Sequence, residues 1–222
     1  MGAMSAPTII YEDNHLLIVQ KPPGRLTQPD GSARPDLLTW AKSYLARNKP
    51  GRAFVGLVHR LDQAVGGVMA LAKTSKAAAR LSQDFRERRT GKLYLALVTG
   101  EPDADEGHLV QHLVRDGDLT RAARPGETGT EAALTWRLRR RAGHLSLLEV
   151  ALETGFKHQI RAQLAYLGLP VAGDVRYHSP LIGPGPAIGL WARSLTLAHP
   201  TRQEALTFTA EPINLWPWSL VG

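Results

Sequence analysis

Two short apolar runs, residues 54–58 and 68–72, stand on either side of His59-Arg60-Leu61-Asp62-Gln63-Ala64-Val65-Gly66-Gly67. Runs of that length bounded by turn signals read as buried strands, so the chain turns between two pieces of core while carrying a carboxylate beside a fixed cation. A charge at the edge of a core is costly unless it is paired or put to use, which makes Asp62 the first candidate for chemistry.

The rest of the chain is built mostly from hairpins. Residues 8–12 and 16–20 flank the polar turn Asp13-Asn14-His15, and Lys21-Pro22-Pro23-Gly24 then stops the ladder as a rigid loop presenting Lys21. Residues 25–35 read as a surface loop. Asp36 is placed to cap a helix whose Leu37, Leu38, Trp40, Ala41, Tyr44 and Leu45 recur at helical spacing, with Pro50-Gly51 as its stop. Thr74 or Ser75 caps a second helix that turns Ala77, Ala78, Leu81 and Phe85 inward and Lys76, Arg80, Arg86, Arg88 and Arg89 outward.

Residues 92–98 and 108–114 are strand-like, residues 115–129 read as exposed loop, and residues 130–140 and 144–152 form a long hairpin with a basic tip at Arg137, Arg139, Arg140 and Arg141. A third helix follows Thr154 or Gly155, burying Ile160, Leu164 and Leu167 and ending at Gly168-Leu169-Pro170. His158 and Arg161 are neighbours on its surface, a basic pair that favours an anion. Residues 171–186 read as loop, residues 188–198 and 203–210 as a closing hairpin, and Trp216 and Trp218 as packing anchors. Strands in hairpins with three or more helices laid on them make an α+β domain.

Lys and Arg together number 27 against 20 Asp and Glu, a net charge of +7. That balance suits a polyanion such as RNA, DNA or an anionic lipid. With no cysteine there is neither a disulfide nor a thiolate metal site, and no run reaches the ~20 apolar residues of a membrane span. A soluble cytoplasmic monomer is the expectation. His-Arg-Leu-Asp has the wrong spacing for a kinase catalytic loop and lacks the Gly-rich loop and D-F-G element that would accompany one. The H-x-x-x-H spacing of His108 and His112 falls on the strand-like run 108–114 and not on a helix, no second carboxylate is placed for a glycosidase, and residues 101–107 lack the ligand series of a calcium loop.

Four blocks in order resemble the RluA family of pseudouridine synthases, the branch that modifies large-subunit ribosomal RNA and transfer RNA. They are Lys21-Pro22-Pro23-Gly24 after the first hairpin; His59-Arg60-Leu61-Asp62 with Gly67 and Lys73-Thr74; Lys92-Leu93-Tyr94-Leu95-Ala96-Leu97-Val98-Thr99-Gly100; and Thr154-Gly155 with His158-Gln159-Ile160-Arg161, followed by Leu167-Gly168 and Gly173-Asp174. The resemblance implies a largely antiparallel mixed sheet flanked by helices around a central RNA-binding cleft. It implies isomerisation of uridine to pseudouridine without cofactor or metal. Asp62 is then the nucleophile, Tyr94 lies against the target base, and Arg161 pairs with Asp62, a guanidinium being suited to keeping a carboxylate ionised.

Arg60, His59, Lys21, Lys92, Lys157, His158 and Gln159 are the candidate RNA-contacting residues, with His59 serving first as a structural hydrogen-bonding group. Arg60 either fills the stack vacated by a flipped uridine or holds a phosphate, unless it simply pairs with a carboxylate. Val65 and Gly66 stand where the family carries Thr and Ser, Phe156 where it carries Arg and Gln163 where it carries His, so the bracing of the loop and the choice of RNA are expected to differ. One catalytic domain is expected over residues 5–222, with residues 1–3 as a cloning remnant and no accessory N-terminal RNA-binding module. The alternative reading is an RNA-binding or RNA-folding module on the same scaffold with little catalysis.

Overall fold

The computed structural model describes residues 5–48 and 54–221. The expectations for residues 1–3 and for Pro50-Gly51 lie outside the described residues. The elements begin β1 (Thr8–Glu12), β2 (Leu16–Lys21), α1 (Leu37–Asn48), β3 (Gly56–Leu57), β4 (Gly66–Ala72) and α2 (Ser75–Arg86). They continue β5 (Gly91–Thr99), β6 (Glu106–Asp116), β7 (Leu119–Ala122), β8 (Thr130–Ala142), β9 (Leu145–Leu152), α3 (Gln159–Tyr166), β10 (Leu190–Ala198) and β11 (Ala205–Thr209). This is an α+β architecture in two compact units, Met1–Gly91 with Ala192–Glu211, and Lys92–Trp191 with Pro212–Gly222. No helix among the described residues is long and apolar enough to cross a membrane.

In the first unit the strand order is β1-β2-β4-β10, with β11 beside β10 and β3 beside β4. The β1–β2 turn closes because the Asp13 carboxylate accepts the N–H groups of His15 and Leu16, each at 2.7 Å. These bonds, with the His199 ring and the Tyr11 hydroxyl on the other oxygen, outweigh burial and hold the Asp13 carboxyl well below the usual carboxylate range. Leu16, Leu17, Ile18 and Val19 are all fully buried, as is every residue of β4. Strands covered on both faces read as unbroken apolar runs, which is why these two show no alternation. Helix α1 starts where Asp36 Oδ1 accepts Thr39 N–H at 2.8 Å, and α2 where Thr74 Oγ1 accepts Ala77 N–H at 3.1 Å.

The second unit orders its strands β5-β9-β8-β6-β7. The long β8–β9 hairpin forms as expected, with a bulge between Leu138 and Arg140 that breaks strict alternation among its arginines. Three of the four tip arginines meet carboxylates, Arg137 pairing with Glu106, Arg139 with Glu149 and Arg141 with Asp105, while Arg140 donates to Val221 O at 2.8 Å.

Four expectations are corrected. The strand foreseen over residues 54–58 shrinks to Gly56–Leu57, because only these two residues pair with β4, at Ala72 and Leu71, and Phe54 outside that ladder is 44% exposed. The loop foreseen over residues 115–129 contains β7, held by its ladder to β6 rather than by apolar side chains of its own. Helix α3 starts only at Gln159, since His158 takes a left-handed conformation at φ 56° that no helix continues through. Leu167 follows that helix and is 38% exposed rather than buried.

Candidate active site

In the first unit Asp62 opens the turn into β4, its carbonyl accepting Val65 N–H at 3.1 Å, and its side chain is half-buried. The loss of the family's Thr and Ser does not leave this turn unbraced. Val65 is buried, and hydrogen bonds between residues 61–63 and residues 24–27 do the holding. Gly24 N–H donates to Gln63 O at 2.7 Å, Gln63 Nε2 donates to Gly24 O at 2.9 Å, and Thr27 Oγ1 donates to Leu61 O at 2.7 Å. At the other end, Gly67 sits at φ 122° where a Cβ would lie 2.2 Å from Ala192 O, so only glycine lets β4 approach β10 there.

Lys21 completes this brace. Its side chain is fully buried, and Nζ donates to Arg25 O at 2.8 Å, Pro22 O at 3.2 Å and Gln63 O at 3.3 Å. Three carbonyls match the three N–H bonds of an ammonium. Burial pushes the amine down to about 7, the Asp62 carboxylate opposing that and the Arg25 charge adding to it. The rigid proline loop was expected to present this lysine to RNA. The amine instead faces main chain, held between the carbonyls of the proline loop and that of Gln63 beside Asp62.

His59 is likewise internal in its bonding. Its Nε2 accepts Ala70 N–H at 2.9 Å and its ring stacks on Phe85 at 4.5 Å, tying the loop to both β4 and α2. Arg60 next to it is exposed.

The second unit carries Tyr94, Lys92, Lys157, His158, Gln159 and Arg161. Tyr94 is half-buried in β5, opposite Val150 of β9. Lys92 Nζ donates to Thr154 O at 3.1 Å. Gln159 was expected to contact RNA but is buried: its Oε1 accepts the Thr154 hydroxyl at 2.8 Å and Phe156 N–H at 3.0 Å, while Nε2 donates to Ala133 O at 3.0 Å. Its amide ties the approach of α3 to β8, which occupies both of its polar ends. Lys157 is exposed, 4.0 Å from Asp118.

Arg161 is also buried, and it makes a two-pronged pair with Asp174. The anion foreseen for the His158 and Arg161 pair is thus supplied in part from within the protein. His158 Nδ1 lies 3.1 Å from the Tyr177 hydroxyl, so the two basic residues meet the same tyrosine. Asp174 and Tyr177 were read as loop residues. The Gly173-Asp174 pair was a signal in the sequence, but a partner 13 residues away in an irregular segment has no periodicity to announce it.

Comparison with known proteins adds the following. The family model described as RNA pseudouridylate synthase matches residues 15–166. An uncharacterized RNA pseudouridine synthase of Synechocystis is 38% identical over 215 residues, covering 91% of this chain and 64% of that protein. The chain therefore spans a little under two thirds of that relative's length. Dual-specificity RNA pseudouridine synthases RluA of Haemophilus ducreyi and Escherichia coli are 32% and 34% identical, each covering 91% of this chain, and 92% and 91% of the relative. Among solved structures, human RNA pseudouridylate synthase domain containing 1 and domain containing 4 superpose with TM-scores of 0.77 and 0.76 at 23% identity. They cover 99% and 92% of this chain and 88% of each human chain, which establishes the likeness of fold.

Proposed function

The chain belongs to the RNA pseudouridylate synthase family, and from that premise we propose that it converts uridine to pseudouridine in ribosomal or transfer RNA with Asp62 as the nucleophile. The observation that carries this is the Asp62 loop itself. A half-buried carboxylate is presented from a turn whose backbone is tied by Lys21, Gly24, Thr27 and Gln63. A nucleophile needs that combination of accessibility and fixed position.

In the reaction the bond from uracil nitrogen to the ribose anomeric carbon breaks, the base turns, and a ring carbon bonds to the sugar in its place. That carbon gives up its proton and the released nitrogen gains one, so atoms and charge balance without a redox partner. The uridine must first leave its stack, at a cost of a few kcal/mol that contacts to the flipped base offset. We assign Tyr94 to the face of the base and Arg161 to the charge of the nucleophile. Arg60 is assigned to the vacated stack or a flanking phosphate. Lys92, Lys157 and His158 are assigned to RNA contact, while Lys21, His59 and Gln159 act from beneath. We further propose that residues 5–222 work as one catalytic domain, as a monomer and in the cytoplasm.

The test is to map pseudouridine in ribosomal and transfer RNA incubated with wild type and with Asp62→Ala. Sites made by wild type disappear with the variant. Sites made equally by both proteins would refute Asp62 as the nucleophile, and a wild type that makes no site would refute the isomerisation itself, leaving the RNA-binding reading, which no separate observation favours.

A further inference from the structure

Two residues outside the assigned catalytic set hold the Arg161 guanidinium from two directions. Arg161 Nε donates to Asp174 Oδ2 at 2.6 Å and Nη2 donates to Oδ1 at 2.8 Å, between side chains only 6% and 2% exposed. Both bonds lie in the guanidinium plane, so this pair fixes the plane as well as the position. The face is held separately: Arg161 Cζ lies 5.0 Å from the centroid of the Tyr177 ring, within cation–π range.

Tyr177 is itself prevented from turning. It is 7% exposed, its hydroxyl accepts Thr120 N–H from β7 at 2.9 Å, and His158 Nδ1 approaches that hydroxyl at 3.1 Å with the His158 ring edge-on to the tyrosine. Asp174 and Tyr177 belong to one short turn, in which Tyr177 N–H and Ser179 N–H both donate to Asp174 O, at 3.0 and 3.1 Å. Edge and face of one guanidinium are therefore gripped by a single rigid segment.

Stability alone does not explain this arrangement. A buried ion pair generally contributes no more than well-packed apolar side chains of the same volume, because desolvation cancels much of the attraction. A charge that must stand in a set place and orientation does explain it, since catalytic groups need to be held to about 0.5 Å and 10–20°.

We propose that Asp174 and Tyr177 are positioning residues for Arg161, Asp174 setting the plane of its guanidinium and the ring of Tyr177 setting its height, so that its charge is delivered in one orientation during uridine isomerisation. This rests on the function proposed above and on Arg161 serving it.

The experiment measures tritium release from uridine-labelled transcripts of large-subunit ribosomal RNA and of transfer RNA, with wild type, Tyr177→Phe, Tyr177→Leu and Asp174→Asn. Displacements of an ångström cost up to about 100-fold in rate. The leucine and asparagine variants are thus expected to lose at least about tenfold in kcat, with KM for RNA within about twofold. Phenylalanine keeps the ring and restores kcat to within about threefold. If leucine leaves no folded protein, Tyr177→Met, which keeps volume without a ring, takes its place.

A folded leucine or methionine variant with wild-type kcat overturns the inference. So does a phenylalanine variant as slow as leucine, which would place the effect in the hydroxyl bonds instead of the ring face. If wild type releases no tritium from either RNA, the functional reading fails and the inference falls with it; an active wild type with equally active variants removes the inference alone.

Discussion

Replacing Lys21 by methionine tests the physics beneath the Asp62 loop. The amine has an ordinary value of 10.5 and burial brings it to about 7. The unfolded chain therefore binds a proton that the folded chain releases between pH 7 and about 10.5, and stability rises with pH across that window. Below pH 7 both states are protonated and the buried ammonium carries its full desolvation cost. The gap at ~1.36 kcal/mol per pH unit is about 5 kcal/mol in total, of which about 2 kcal/mol falls between pH 7 and 9. This is a ceiling, because the carbonyls of Pro22, Arg25 and Gln63 favour the ammonium.

Methionine cannot titrate, so the stability of wild type minus that of Lys21→Met should climb by up to about 2 kcal/mol between pH 7 and 9, with other groups cancelling in the difference. Urea unfolding of both proteins at pH 6, 7, 8 and 9 measures it. Parallel profiles would refute the reasoning. They would mean that the three carbonyls return the amine to its ordinary value and that Lys21 is a charged strut at every pH tested.

Two further substitutions probe the surroundings of the candidate residues. Gly67→Ala puts a Cβ against the Ala192 backbone at a positive φ, where neither strand can yield, and should cost about 3 kcal/mol or more in urea unfolding; a loss under about 1 kcal/mol would show that β4 and β10 can separate there. Thr154→Val removes the oxygen that accepts Ala133 N–H at 3.0 Å in a buried setting, and should cost about 2 kcal/mol while Thr154→Ser costs much less, with equal losses refuting the hydrogen-bond account.

The hairpins around Asp13 and Gly143, the caps at Asp36 and Thr74 and the inward stripe of α2 were all legible in the chain. Each depends on residues within a few positions of one another, where turn geometry and periodicity operate. Asp62 stood out as a candidate for a different reason: a carboxylate in a turn between apolar runs conflicts with local rules, and functional sites are where such conflicts are expected. The strand β7 was hidden because Leu119–Ala122 owes its conformation to the ladder with β6, and its sequence carries no apolar alternation. The late start of α3 was hidden because nothing in His158 itself demands a left-handed backbone.

What the sequence determined by itself was most of the elements, the α+β class and the family motifs, and with them Asp62 as the candidate nucleophile. Tertiary structure alone decided where the basic side chains went. Lys21, read as reaching outward, lies beneath the Asp62 loop on three carbonyls, and Arg161, read as a helix-surface cation, lies buried on Asp174 and Tyr177. A lysine or arginine looks the same in a sequence whether it meets water, a phosphate or its own main chain. Its partner is chosen by which distant segments the fold brings within about 3 Å, and that information is distributed over the whole chain.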